Sequence, residues 1–451
     1  MDRPPSRLPK SAPCLLAVAV LAQAAGLSSA AHASGFALKE QSAVDQGASY
    51  AGAAARADDP STLFYNGAGI TKLPGYQVSV GASMIFPSSI LENGNASTGA
   101  LLGGRPYGGV TGSDSGVNEI LPSIYGTAQL TDTLFAGIAI TSPFGLATKY
   151  PTKSIARYYA LTTDLKTINI GPTLAWQVIP QLSLAAGINI ETADAHLSNA
   201  VDFGAIGALN GLGRFGLLPG TADGIANVKG TDTAVGWNVG LLYEPLPGTR
   251  IGLAYRSAMF HQISGSLNYT GVPAPLAAGF QNSSATAKVP EPSSASVSVA
   301  QQLGNWTALG DVTYTGWSIF QNLQAYTGST LATQTVEKFR NTFSVSLGAD
   351  YKVSDQVTLR AGTMFDQSPV RNQYRTPRIA DNDRYWLSAG MTYRPIPKLA
   401  LTAAYSHLFV RDAAVSLTDA GPGTPNFIKG NLTASYKDAI DIVSLQAAYR
   451  F

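Results

Sequence analysis

Few residues of this 451-residue chain are of types that carry covalent or acid–base chemistry. The single cysteine is Cys14. His196, His261 and His407 are scattered, at no spacing that marks a metal site. There is no Gly-x-Ser-x-Gly elbow, no phosphate loop and no dinucleotide fingerprint. An outer-surface esterase would need a paired Ser and His, and no motif marks such a pair. The chain is therefore read as a non-enzyme with no cofactor and no metal. The chemistry left is apolar contact and charge pairing.

The composition narrows the setting for that chemistry. Only 13% of residues are charged against 45% hydrophobic, where about 25% charged is usual for soluble domains. Mean hydropathy is only +0.07, too low for a helical membrane protein. One apolar run, residues 14–25, is too short to span. It follows Arg3, Arg7 and Lys10 and precedes Ala31-His32-Ala33, the pattern of a secretory signal cleaved near Ala33. Cys14 precedes the run instead of ending it, which disfavours a lipoprotein signal. Cleavage would remove the only thiol, so no disulfide is expected. It would also leave equal numbers of acidic and basic residues, and no electrostatic reason to expect nucleic acid.

The elements that must position such contacts are strands. Phe343, Val345, Leu347, Ala349 and Tyr351 alternate with Ser344, Ser346, Gly348 and Asp350. Val443, Leu445, Ala447, Tyr449 and Phe451 alternate with Ser444, Gln446, Ala448 and Arg450. One face is apolar and the other small or polar, as in a barrel with lipid outside and a wet lumen. Strands are expected near 75–86, 119–130, 133–142, 163–179, 181–199, 230–245, 249–268, 285–303, 305–320, 337–352, 355–367, 382–394, 398–411 and 436–451. The fold class is all-β: a transmembrane antiparallel barrel of about 14 strands spanning 73–451, with an N-terminal hatch plugging the lumen. Short connections alternate with the long segments 87–118, 200–229, 269–284 and 412–435, which fits short periplasmic turns and long outer loops. The final strand, ending on Phe451, resembles the signal read by the barrel-assembly machinery of the bacterial outer membrane. Outer-membrane lipid and that machinery are the expected partners, and the barrel is expected to be a monomer.

Residues 34–72 do not alternate. They are rich in Ala, Gly and Ser and would bury too little to fold alone, so they are read as the hatch. A general porin would lack such a plug. The loop 200–229 is apolar: Phe203, Ile206 and Leu209 recur at helical spacing, and Leu212 and Phe215 follow. Phe280 adds to this surface from the next long loop. Two apolar loops either pack on each other or form a docking groove.

With these features in place, the chain resembles the FadL/TodX family of outer-membrane transporters for hydrophobic compounds, over nearly the whole mature sequence. The resemblance rests on Ser34-Gly35-Phe36, Ala57-Asp58-Asp59, Asn66-Gly67-Ala68 and Ile140-Thr141-Ser142-Pro143-Phe144-Gly145-Leu146-Ala147-Thr148. It continues through Gly236-Trp237-Asn238, Leu242-Tyr243-Glu244 and Ala254-Tyr255-Arg256-Ser257. Its longest stretch runs from Asp366-Gln367-Ser368-Pro369-Val370 to Asp383-Arg384-Tyr385-Trp386-Leu387-Ser388-Ala389-Gly390. The resemblance implies capture at an outer groove, transfer to an inner pocket touching the hatch, and lateral exit beside a kinked third strand. It places Phe36 in the inner pocket, Asn66 in the hatch turn, and Pro143, Phe144 and Gly145 at the lateral gate. It also implies a hydrophobic ligand, with long-chain fatty acid as first choice and a monoaromatic or other neutral hydrocarbon as runner-up. Of two cations that the family prototype sets near a ligand carboxylate, one position falls on Arg340, which can hold a carboxylate or pair with lumen acids such as Asp350 or Asp383, and the other near Asn199, which carries no charge. The usual Asn-Pro-Ala of the hatch is here Asn66-Gly67-Ala68, which predicts a looser turn. Asp58 and Asp59 are expected to tie the hatch to lumen arginines.

Overall fold

The computed structural model describes residues 35–451; the expected signal, 1–33, and Ser34 lie outside the described residues. The wall is built from strand segments in chain order. The first seven are β1 (Tyr76–Ser97), β2 (Glu119–Gln129), β3 (Leu134–Thr141), β4 (Gly145–Lys149), β5 (Thr162–Ile179), β6 (Leu182–Asp202) and β7 (Asp223–Leu246). Next come β8 (Thr249–Arg256), β9 (Met259–Thr270), β10 (Ser283–Glu291), β11 (Ser294–Leu303), β12 (Trp306–Thr315), β13 (Asn322–Thr327) and β14 (Thr330–Val336). The last are β15 (Thr342–Lys352), β16 (Val357–Asp366), β17 (Arg384–Ile396), β18 (Leu399–Val410), β19 (Ala413–Leu417) and β20 (Asn431–Arg450).

Several segments continue one another. β3 and β4 both pair with β5, β8 and β9 both with β7, and β18 and β19 both with β20. β10 with β11, β12 with β13, and β14 with β15 are likewise two halves of one wall strand. Among the described residues the wall is thus a closed antiparallel barrel of fourteen strands. Closure is made by β20, where Val443 lies opposite Met84 of β1 on one side and Tyr405 of β18 on the other.

No helix among the described residues is long and apolar enough to cross a membrane. The strands carry the apolar band: Phe343, Val345, Leu347, Leu445 and Phe451 are exposed, while Ser344, Ser346, Ser444 and Gln446 are buried toward the lumen. Several strands run further than alternation indicated. β1 reaches Ser97, β7 begins at Asp223 and β20 at Asn431. In these outer portions the ladder continues beyond the membrane zone, where neither face needs to be apolar, so the period-two signal fades.

Residues 35–72 fill the lumen with the short helices Ala43–Gln46, Ala53–Arg56 and Thr62–Tyr65 and the 3₁₀ turn Gly67–Lys72. The wall accepts this backbone at glycines: a side chain at Gly252 would collide with the Ala54 carbonyl, and one at Gly362 with that of Ala48. Charge fixes the orientation. Arg56 Nη1 lies 2.9 Å from Asp350 Oδ2, which Arg360 Nε also approaches at 3.5 Å, and Lys72 Nζ lies 2.9 Å from Glu244. The polarity of the main tie is the reverse of the expected one, since a hatch arginine meets a wall aspartate. Asp58 and Asp59 are also attracted to the wall's Arg360, as expected, and Asp59 is held by the Ser61 amide and by Gln446 Nε2 at 3.1 Å.

Candidate functional site

The hatch tip meets the wall where the third strand breaks. Pro143 has no amide to continue a ladder, so the strand stops at Thr141 and resumes at Gly145. Into this break the hatch inserts a strandlet. The Leu38 amide donates to the Pro143 carbonyl, and the Gly145 amide to the Phe36 carbonyl, both at 2.8 Å. Ala37 and Phe144 form the bridge between them. The Gln41 amide group binds Ser142 at both its carbonyl (2.7 Å) and its amide (3.1 Å). On the other side of the break, β2 pairs with β3 only over residues 124–129. Residues 119–123 pair with β1 but have no ladder partner from β4. The seam between β2 and β4 is therefore the weak line of the wall, and the hatch tip lies along it.

Phe36 is buried in an aromatic cluster, edge-on to Trp317 (4.6 Å between centroids) and Phe320 (5.2 Å), with Phe144 at 6.0 Å. Phe339 backs Trp317 and Phe320, and Ala193, Ile263 and Val289 complete the cluster. Beside it, a cavity of about 130 Å³ lies between hatch and wall. It touches Phe64, Tyr65, Asn66, Pro143 and Phe144. Its walls are mainly apolar, and its cations are Lys39 and Arg256. Lys39 Nζ lies 3.7 Å from Asp366. Arg256 donates to Asn189 Oδ1 (3.1 Å) and the Phe64 carbonyl (3.2 Å), with its guanidinium 4.8 Å from the Phe64 ring centroid. Neither cation was singled out from sequence, because each is one basic residue in a strand or loop and only the closed barrel brings it to the cavity.

Asn66 holds the hatch turn together. Its Nδ2 donates to the Ala54 (2.7 Å) and Leu241 (2.9 Å) carbonyls, and its Oδ1 accepts from the Ala68 amide (3.1 Å). The turn is fastened rather than loose. Gly67 is there for space: a Cβ would sit 2.6 Å from Thr173 Cγ2.

Arg340 follows Phe339 of the aromatic cluster, but its side chain is 42% exposed; Nε donates to the Ser368 carbonyl (3.1 Å) and Nη2 lies 3.7 Å from Asp383. Asp350 pairs with Arg56 instead. At Asn199 a cation is present after all, contributed by another loop: Arg378 Nη2 donates to Asn199 Oδ1 at 3.3 Å. Arg378 also binds the Thr162 and Ser198 carbonyls. It shares its surroundings with Glu337 and Lys429. Burial raises the Glu337 carboxyl to about 8 and, with repulsion from Arg378, lowers the Lys429 ammonium to about 8.

The outer loops make a separate apolar cluster. The helix Phe203–Leu209 forms at the predicted spacing, capped by Asp202 Oδ1 accepting from the Ala205 amide (2.8 Å). Phe203 is fully buried and meets Phe280 edge-on at 4.9 Å, so the two loops do pack on each other. Ile206 and Leu212 are half-buried, whereas Leu209 and Phe215 are exposed, Phe215 at 65%. The predicted residues thus fall into an outer group (Phe203, Ile206, Leu209, Leu212, Phe215, Phe280), an inner group (Phe36, Asn66, Pro143, Phe144, Gly145), and Arg340 behind the aromatic cluster.

A closed barrel, a plugged lumen and an apolar cavity at a broken wall define an outer-membrane channel for hydrophobic compounds. Comparison with known proteins gives the same class and a family. The profile of the outer membrane protein transport protein family (OMPP1/FadL/TodX) matches residues 24–451. The long-chain fatty acid transport protein of Escherichia coli K12 is 33% identical over 84% of this chain and 87% of its own. An outer-membrane protein of Neisseria meningitidis serogroup B is 32% identical over 93% and 95%. A FadL homologue of Pseudomonas aeruginosa shares the fold with TM-score 0.84 at 24% identity, covering 92% of this chain and all of that one. The toluene transporter TodX of Pseudomonas putida superposes with TM-score 0.66 at 16% identity, over 93% and 100%. The chain belongs to the OMPP1/FadL/TodX family and is an outer-membrane transporter of hydrophobic compounds.

Proposed function

We propose that this barrel is a passive uptake channel for long-chain fatty acids that delivers them sideways into the membrane. The observation that carries the reading is the pairing of residues 36–38 with Pro143 and Gly145, which joins the plug to the break in the wall. Leu209 and Phe215, exposed on the outer loops, capture the alkyl chain. Apolar contact drives capture at roughly 25 cal/mol per Å² buried, enough for about micromolar binding after ordering costs. Ligand entering the aromatic cluster competes with Phe36 for Trp317 and Phe320. Displacing Phe36 withdraws its neighbours from the break and frees the β2–β4 seam. A ligand shifts this equilibrium only because it binds the displaced state better. Lys39, Arg256 and Arg340 supply positive charge for a carboxylate, which favours an acid over a neutral solute.

A second reading, uptake of monoaromatic or other neutral hydrocarbons, is favoured by the engagement of Arg340 with Ser368 and Asp383. Tryptophan-fluorescence quenching by oleate and by toluene, in wild type and Arg340→Ala, separates the two. Tight oleate binding that weakens in the variant supports the acid. Toluene binding with indifference to oleate moves the channel to the hydrocarbon reading.

A further inference from the structure

Three buried Lewis bases converge on the inner wall just below the Phe36 cluster. Glu191 of β6, His261 of β9 and Glu291 of β10 are 0%, 2% and 1% exposed. His261 Nε2 stands 3.6 Å from Glu191 Oε1 and 3.7 Å from Glu291 Oε1. That nitrogen and all four carboxylate oxygens have no hydrogen-bond partner. On the far side of the ring, His261 Nδ1 lies 3.1 Å from Asp232 Oδ2, and the tautomer that donates from Nδ1 to Asp232 leaves Nε2 as a lone pair facing the two carboxylates. Such an arrangement is repulsive unless a cation or a shared proton occupies its centre.

One ligand atom from each residue can be chosen so that all lie within 4.8 Å of one another. Ligands about 2.0–2.1 Å from a tetrahedral zinc stand roughly 3.3–3.4 Å apart, so the two measured separations need only contract slightly. Arg256 acts on both carboxylates, yet its guanidinium already binds Asn189 and the Phe64 carbonyl. With Glu191, Glu291 and Asp232 all ionised, as metal binding requires, one arginine leaves two negative charges, the charge a divalent ion cancels.

We infer that Glu191, His261 and Glu291 bind one divalent transition-metal ion of the zinc class, with Asp232 orienting the imidazole. A histidine that ligates through one nitrogen and donates from the other to a carboxylate is the recurrent outer-sphere arrangement of such sites. One nitrogen and two carboxylate ligands leave an open position for water. The ion ties β6, β9 and β10 together next to the passage. Ala193, Ile263 and Val289, each two residues along from a ligand, line the Phe36 cluster, and Pro292 after Glu291 lines the cavity. The inference stands whichever hydrophobic compound is carried.

The test is metal binding by untagged, detergent-purified protein stripped with a chelator, titrated with ZnCl₂ by calorimetry and with Co²⁺ by visible absorption. The expected result is one equivalent of zinc, a Co²⁺ spectrum of low coordination number, and loss of both in the folded Glu191→Gln and Glu291→Gln variants. Asp232→Asn should keep the stoichiometry and weaken affinity about 10–100-fold. Heat-modifiable gel mobility shows which variants are folded, and Asp232→Asn provides the reading where a ligand variant is not. Folded wild type that takes up neither metal, or Glu variants that bind as wild type does, would overturn the assignment and leave a cluster that shares protons instead.

Discussion

The Leu38 amide donates to the Pro143 carbonyl at 2.8 Å, and through this bond the plug of the barrel completes the ladder that the third strand abandons. Plug position and wall integrity are thereby one variable. Leu38→Pro removes the donor without removing much apolar volume. The expected outcome is a barrel of normal mobility that leaks a hydrophobic dye into the membrane in the absence of ligand. Unchanged dye entry would separate the plug from the wall.

Phe36 fills the space that the proposed ligand needs. Phe36→Ala should weaken docking of the hatch tip by about 3–5 kcal/mol, read as faster hydrogen exchange of the Leu38 and Gly145 amides. Oleate should bind this variant more tightly than wild type, because it no longer has to displace a phenyl ring. Weaker oleate binding would mean that Phe36 is a contact for the ligand rather than its competitor.

Asp350 joins Arg56 of the plug to Arg360 of the wall. Asp350→Ala leaves two buried guanidinium groups without that carboxylate, and breaking a buried pair costs about 3–5 kcal/mol. The plug should then visit undocked states, seen as brief ion-conducting openings in planar bilayers that wild type lacks. A silent variant would show that close packing at Gly252 and Gly362 holds the plug unaided.

Glu337 gives a pH signature in the outer loops. Its carboxyl is raised from about 4.5 to about 8, chiefly by burial, so the folded state holds the proton over a range in which the unfolded chain releases it. The stability due to the protonated group is complete below the unfolded value and is lost as pH rises through 8. Thermal stability of wild type relative to Glu337→Gln should therefore fall between about pH 4.5 and 8 and level off above. A flat or rising difference would show that the carboxylate is ionised in the fold.

Much of the architecture is legible in the sequence because a barrel wall repeats one rule. Phe343, Val345 and Leu347 against Ser344 and Ser346 mark lipid and lumen sides without any knowledge of neighbours. The helix at 203–209 is legible for the same reason, with an apolar residue every third position. What stays hidden depends on register between strands distant in sequence. Glu191, His261 and Glu291 are unremarkable singly, and only the pairing of β9 with β10 and of both β6 and β9 with β7 brings them to one point. Arg378 reaches Asn199 across 179 residues of chain, so the cation expected at that position is absent from its local sequence and present in its surroundings. The strand break at Pro143 is visible, but the strandlet that fills it comes from residues more than a hundred positions earlier.

The most direct test of the lateral route locks the plug to the wall. Ala37 and Phe144 are bridge partners, and antiparallel partners stand about 4.5–5.5 Å apart at Cα, within disulfide range. The only native cysteine is Cys14, so Ala37→Cys with Phe144→Cys introduces one unambiguous pair. Uptake of labelled oleate by cells carrying this double variant should stop when the disulfide forms and return on reduction, while each single variant transports throughout. Uptake that continues with the disulfide intact would contradict the account, because ligand would then be leaving by a route that does not require the hatch tip to release the β2–β4 seam.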